Sequence, residues 1–259
     1  MISKNQIRFI RSLHAKKGRE SHRLFLCEGS KGVLEVIAGS CEVLQVFAFQ
    51  EWIDENAAAV SAHKPVPEPV LLSEMERITA LSTPSPALAV VRMKEHSLPA
   101  EAAPDGLTLV LDDIQDPGNL GTIIRIADWF GIRRIVCSPG TAELYNPKVI
   151  QATMGSFMRV EVVYGEISAF LSLPGLPANI FGTFLSGKNI YEAELSSNAV
   201  IIVGNESRGI SEAAEKFVTD KITIPSYALD KKERGHAESL NAAIATAIVC
   251  AELRRRSHV

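Results

Sequence analysis

Apolar residues along the chain fall into two spacings, and the spacings separate helices from strands. Ile7, Ile10 and Leu13 stand three apart and predict a helix over residues 5–13. Leu24-Phe25-Leu26-Cys27-Glu28-Gly29 reads as a short strand ending in a turn. A helix over 31–38 and strands over 42–49 and 87–93 complete a small α/β block. Residues 96–106 then hold Pro99, Pro104 and Gly106 among small residues, the composition of a linker.

Beyond the linker the pattern alternates. Apolar runs predict strands over 107–111, 134–138, 180–185, 200–204 and 221–224. Helices are expected over 119–130, with Ile123, Ile124, Ala127 and Phe130 inward, and over 147–154. A long helix over 239–255 carries Leu240, Ala243, Ile244, Ala247, Ile248 and Ala251 at core spacing. Uninterrupted apolar strands between amphipathic helices imply a parallel sheet covered on both faces. The expected division is a domain over 1–98 and a second over 106–259.

Composition narrows the function classes. The 259 residues are 46% hydrophobic and 22% charged, as in soluble globular proteins. No apolar run approaches the ~20 residues that cross a bilayer. Met1-Ile2-Ser3-Lys4 leads into a basic segment without an apolar signal core, so a cytoplasmic protein is expected. Cys27, Cys41, Cys137 and Cys250 are widely spaced and read as reduced core thiols, with no metal site. A net charge of -3 speaks weakly against a nucleic-acid partner. It hides a basic stretch: Lys4, Arg8, Arg11, Lys16, Lys17, Arg19, Arg23 and Lys31 against Glu20 and Glu28. That stretch is either a phosphate-contacting patch or a solvated helix face.

In open α/β sheets ligands bind beyond the carboxyl ends of strands. Three loops leave the predicted strands there. In the first, Asp116-Pro117-Gly118-Asn119-Leu120-Gly121, Pro117-Gly118 makes a tight turn and Asn119 is placed to cap the next helix. Arg125 follows among isoleucines and needs a partner, a pocket or a path to solvent. In the second, Gly204-Asn205-Glu206-Ser207-Arg208-Gly209, two glycines bracket a polar loop. Glu206 could reach Arg125 or Asn119, or the loop could simply lead to a helix capped by Ser211. In the third, Ile224-Pro225 precedes Ser239-Leu240-Asn241, which open the last helix as anion-binding or as ordinary capping residues. The dinucleotide GxGxxG, the phosphate-loop GxxxxGK[ST] and the GxSxG elbow are all missing.

Taken together, the three segments resemble the SpoU (TrmH-like) branch of the SPOUT RNA methyltransferases, over about residues 107–255. The basic first helix, Phe25-Leu26-Cys27-Glu28-Gly29 and Leu81-Ser82-Thr83-Pro84 resemble that family's L30e-like RNA-binding domain. The resemblance implies a parallel sheet whose C-terminal segment forms a trefoil knot, homodimers, and S-adenosylmethionine as cofactor. It implies transfer of its methyl group to a ribose 2′-hydroxyl of structured RNA, ribosomal RNA of the 23S type being favoured over tRNA. The implied catalytic set is Arg125, Asn119, Glu206, Ser239 and Asn241. The implied cofactor set is Gly204, Ile224, Leu240, Asn205, Gly209, Thr183 and Leu185. Lys16, Lys17, Arg19 and Arg23 are the implied RNA contacts. Arg125 suits an electrostatic role better than that of a base, because a guanidinium keeps its proton. The stretch 226–238, with Lys231, Lys232, Arg234 and His236, is longer than the family's usual link and is either an RNA-contacting lid or a surface insertion. Two rivals remain: a knotted RNA-assembly factor without catalysis, and a methyltransferase acting on a base nitrogen.

Overall fold

The computed structural model describes residues 1–62, 65–95, 97–101, 106–227 and 239–257. The chain divides into two compact units. The first comprises Met1–Glu95 together with Glu143–Met158, and the second comprises His96–Ala142 and Arg159–Val259.

In the first unit the elements run α1 (Lys4–Ser12), α2 (Lys16–His22), β1 (Leu24–Glu28), α3 (Ser30–Ala38) and β2 (Val43–Ala48). Next come α4 (Gln50–Glu55), α5 (Ala57–Ser61), β3 (Glu68–Pro69), α6 (Leu72–Ile78) and β4 (Ala87–Arg92). The sheet order is β1-β4-β2-β3, antiparallel except for the β2–β3 pair. Helix α1 starts at a capping box, in which Ser3 accepts from the Gln6 N–H and Gln6 accepts from the Ser3 N–H. Its Ile7 and Ile10 enter a core with Leu24, Leu26, Phe47, Leu88 and Val90.

Helices α2, α4, α5 and α6 run seven residues or fewer, too short for periodicity to announce them, and they went unexpected. The stretch 143–158 was expected inside the second domain. It groups instead with the first unit through long-range contacts: Phe25 packs on Tyr145 and edge-on to Phe157. A compositional break such as the linker marks one chain boundary; it cannot report a later segment that returns.

The second unit holds β5 (Leu107–Asp112), α7 (Pro117–Trp129), β6 (Arg134–Cys137), β7 (Glu161–Tyr164), α9 (Ile167–Leu171) and β8 (Ile180–Asn189). It ends with β9 (Ala199–Gly204), α10 (Glu212–Glu215), β10 (Asp220–Thr223) and α11 (Ala242–Ser257); α8 (Pro147–Thr153) lies in the returning segment. The six strands are all parallel, in the order β10-β8-β9-β5-β6-β7. The expected parallel sheet is thus present, with the short edge strand β7 as an addition. Strand order reverses between β5 and β9, the place where ligands bind in such sheets. Those two strands end level, Asp112 beside Gly204, so their exit loops start side by side.

Helix α11 buries Ala242, Ala243, Thr246, Val249, Cys250 and Leu253. This corrects the expected core stripe: Leu240 precedes the helix and is exposed, as are Ile244 and Ala251. Apolar residues occupy more than one face of α11, so spacing alone does not choose which face turns inward. Among the described residues no helix is long and apolar enough to cross a membrane.

Candidate active site

Helices α7 and α11 converge at their N-termini. Asn241 donates from Nδ2 to Asn119 Oδ1 at 2.8 Å. At the other end, Arg254 Nε donates to the Phe130 carbonyl at 2.8 Å. The helices therefore run side by side in one direction, and their N-terminal N–H groups and dipoles meet at the strand ends. A carboxylate stands there, as that field favours: Asn119 Nδ2 donates to Glu206 Oε1 at 2.5 Å. The chain Asn241–Asn119–Glu206 joins all three sequence loops.

Capping explains why Asn119 is free to bridge. The N-cap of α7 is Asp116, whose side chain accepts from the Asn119 N–H at 2.8 Å, with Pro117 in the first helical turn. This corrects the expectation that Asn119 itself caps the helix. Asn241 does cap α11: its Oδ1 accepts from the N–H groups of Ala243 and Ile244. Ser239 is exposed, two residues before that cap.

The loop after β9 closes on itself. Asn205 and Gly209 exchange both backbone hydrogen bonds, at 3.0 and 2.8 Å. Gly209 takes φ +70°, and a Cβ on Gly204 would run into the Gly209–Ile210 backbone, so both glycines serve loop closure. The Asn205 side chain donates to the Asp113 carbonyl and accepts from the N–H groups of Ser207 and Arg208. Its polar groups are all engaged within the loop, which makes Asn205 a loop former. Asp112, buried at the end of β5, accepts from the Ser211 N–H. Asp113 holds φ +63° and pairs with Arg208.

Along the same strand ends, Thr183 Oγ1 donates to the Ile202 carbonyl, and the Leu185 carbonyl accepts from Thr223. Ile224 is half-buried and Leu240 exposed. Among the described residues the backbone N–H and C=O groups of both have no hydrogen-bond partner. An adenine edge carries the complementary donor and acceptor.

Arg125 lies outside the network. It shares an exposed stripe of α7 with Gly118, Thr122 and Trp129, and among the described residues its guanidinium has no partner. Glu206 therefore pairs with Asn119, and Arg125 reaches solvent. Lys231, Lys232, Arg234 and His236 lie outside the described residues.

In the first unit, Lys16, Lys17 and Arg23 are exposed. Lys16 sits 3.7 Å from Glu20, and Arg23 pairs with Glu95 at 2.7 Å. Arg19 is 2% exposed and cannot contact RNA. It donates to both oxygens of Glu143 and to the carbonyls of Leu13 and His14, holding a loop. This corrects its expected role: helix α2 has no apolar stripe to mark its inner face, and the partner stands 124 positions away. An open groove of about 550 Å³ in this unit is lined by Asn5, Gln6, Phe9, Leu44, Gln45 and Val90; none of the expected site residues lines it.

Residues 106–251 match the model of the SpoU rRNA methylase family, and residues 4–89 match that of the MRM3-like substrate-binding domain. The chain belongs to the SpoU rRNA methylase family. Among relatives of this SpoU methylase is the 23S rRNA (guanosine(2553)-2′-O)-methyltransferase RlmP of Bacillus subtilis, 32% identical over 97% of each chain. A solved TrmH-family structure from Porphyromonas gingivalis superposes with a TM-score of 0.81 at 39% identity, covering 99% of each chain. An S-adenosylmethionine-bound rRNA methyltransferase from Sinorhizobium meliloti gives a TM-score of 0.83 at 26% identity, covering 99% of this chain and 97% of that one. The SpoU family membership accounts for the resemblance of the three loops. Two features went unread in the sequence: the N-cap role of Asp116, which Pro117 at the first helical position could have revealed, and the Asp113–Arg208 pair, which no local signal marks.

Proposed function

We infer that the protein transfers a methyl group from S-adenosylmethionine to a ribose 2′-hydroxyl of ribosomal RNA, large-subunit RNA being the favoured substrate. The observation that carries this reading is the hydrogen-bonded chain Asn241–Asn119–Glu206, which ties the three family loops into one site at the switch point.

S-adenosylmethionine supplies a methyl group on a positively charged sulfur, open to in-line attack. The free backbone groups of Ile224 and Leu240 fit the adenine, with Gly204, Gly209, Thr183 and Leu185 along the same strand ends. Glu206 and Asn119 hold the first turn of α7 in place, so that the attacking ribose is oriented rather than left to diffusion. Ser239 and Asn241 receive a ribose hydroxyl or phosphate where α11 begins. Arg125 stabilises the oxygen as negative charge develops on it. Six residues beyond Asn119, it lies about 9 Å along the helix axis. Helical side chains lean toward the N-terminus, which brings the guanidinium back toward the strand ends.

The reading includes a homodimer. Trp129 is 85% exposed on α7, and Leu240 and Ile244 are exposed at the start of α11, so two adjacent helices leave large apolar side chains uncovered. It includes a trefoil knot in the C-terminal part, RNA docking through Lys16, Lys17 and Arg23, and a cytoplasmic setting, in keeping with the four free cysteines.

The test is incubation with protein-free 23S rRNA and methyl-labelled S-adenosylmethionine, followed by digestion to nucleosides. Label in a 2′-O-methylated nucleoside is the expected result. Label in a base, or none, overturns the reading.

A further inference from the structure

Among the described residues, the ends of β5 and β9 and their exit loops carry more negative than positive side chains. Asp112 ends β5, Asp113, Asp116 and Glu206 stand in the two exit loops, and the cations described on those loops and on α7 are Arg125 and Arg208. An RNA strand brings a phosphate with every nucleotide, so such a mouth repels it unless a cation is turned toward it.

Arg208 is built for that exchange. Its backbone is fixed, because its N–H donates to Asn205 Oδ1 inside a turn closed by the Asn205–Gly209 pair. Its side chain is 68% exposed, and its guanidinium pairs with Asp113, whose side chain is 23% exposed. An ion pair so open to water holds weakly. Asp113 is not orphaned when Arg208 leaves. Its carboxylate also accepts from Gln115 Nε2, at 3.2 Å to each oxygen, and from Asn205 Nδ2 at 3.3 Å. Asp113 itself sits at φ +63°, pinned by the Ser138 hydroxyl on its N–H and by Asn205 on its carbonyl. The acceptor is thus rigid and satisfied, and the donor is free to pivot. Glu206, two residues before Arg208, is tied to the Asn119–Asn241 chain, so the pivot stands at the rim of the site.

We propose that Arg208 is a phosphate-binding residue for the RNA substrate, parked on Asp113 and handed to a phosphodiester when RNA docks. This rests on the methyl-transfer reading above. Arginine suits the task because its planar fork meets two phosphate oxygens at once. Asp113 competes with the phosphate and keeps the side chain extended while the site is empty of RNA.

The experiment measures binding of protein-free 23S rRNA across a salt series, alongside methylation kinetics and S-adenosylmethionine binding. R208A is expected to raise the KM for RNA several-fold and to leave S-adenosylmethionine binding unchanged. It should lower the slope of log affinity against log salt by about 0.7 to 0.9, the loss of one phosphate contact. R208K should restore the slope. D113N keeps a residue type that tolerates positive φ and removes the competing charge; it should tighten RNA binding at low salt. An unchanged slope in R208A, or equal losses of RNA and S-adenosylmethionine binding, overturns the proposal. Wild-type protein that methylates no RNA overturns the parent reading instead, and that control separates the two failures.

Discussion

Replacing Asn119 with alanine cuts the Asn241–Asn119–Glu206 chain at its middle. Two hydrogen bonds go: one to a carboxylate at 2.5 Å, one between neutral amides at 2.8 Å. Charge-assisted bonds contribute about 1.5–3 kcal/mol and neutral ones about 0.5–1.5. Glu206 is exposed, so water recovers part of the first, and a combined loss of about 1.5–3 kcal/mol is a fair range. At about 1.4 kcal/mol per decade, kcat/KM for RNA methylation should fall roughly tenfold to a hundredfold. The decisive assay is a double-mutant cycle of N119A and E206A, read in kcat/KM with labelled S-adenosylmethionine. A coupling of about 1–2 kcal/mol is expected, because each single change already breaks the shared bond. N241S supplies the second arm: serine keeps a cap for α11 and loses the amide donor. Losses for N119A and E206A that add to within about 0.3–0.5 kcal/mol would refute the claim that the chain acts as one unit.

R125A should retain S-adenosylmethionine binding and lose about a hundredfold to a thousandfold in kcat; full activity would remove Arg125 from the reaction. R19A should destabilise the first unit by about 3–5 kcal/mol, since Glu143 loses a buried partner, and calorimetry checks it. K17A should leave the melting temperature alone and weaken RNA binding in a salt-dependent way; the opposite pattern would reverse the two assignments. I244E should convert a dimer to monomers in sedimentation, and an unchanged mass rules out that face as the interface. The Arg255 and Arg256 guanidinium groups hold the Glu252 carboxyl down to about 2, from 4.5. Its contribution to stability is complete above about pH 4.5 and fades as pH falls through 2. The stability gap between wild type and E252Q should close over that window in acid titrations, and a gap that stays constant would sink the assignment.

Much of the second unit was legible because its strands are buried on both faces. Leu107–Asp112 and Ala199–Gly204 are nearly unbroken apolar runs, and a parallel sheet between helices accounts for such runs. The three loops stood out for polar residues and glycines directly after those runs. Short or polar elements did not stand out: α2 carries no apolar stripe, and β7 has only four residues at a sheet edge. Helix α11 is present as expected, but its inward face is only partly the expected one: Ala243 is buried while Leu240, Ile244 and Ala251 are exposed, since its apolar residues do not favour one side. Capping misled at Asn119 because asparagine is a good cap anywhere near a helix start, and the proline after Asp116 was the better guide.

Residue order by itself determined which segments are strands, where the polar loops fall, and which family the chain resembles, because these depend on neighbours a few positions apart. Tertiary structure decided which side chains meet. Arg19 finds Glu143 across 124 positions, Arg208 finds Asp113 across 95, and Asn241 finds Asn119 across 122. The last two pairings follow from strand order and the level ending of β5 and β9, and the first from the return of residues 143–158 to the first unit. Those are properties of packing, which no local window of sequence contains.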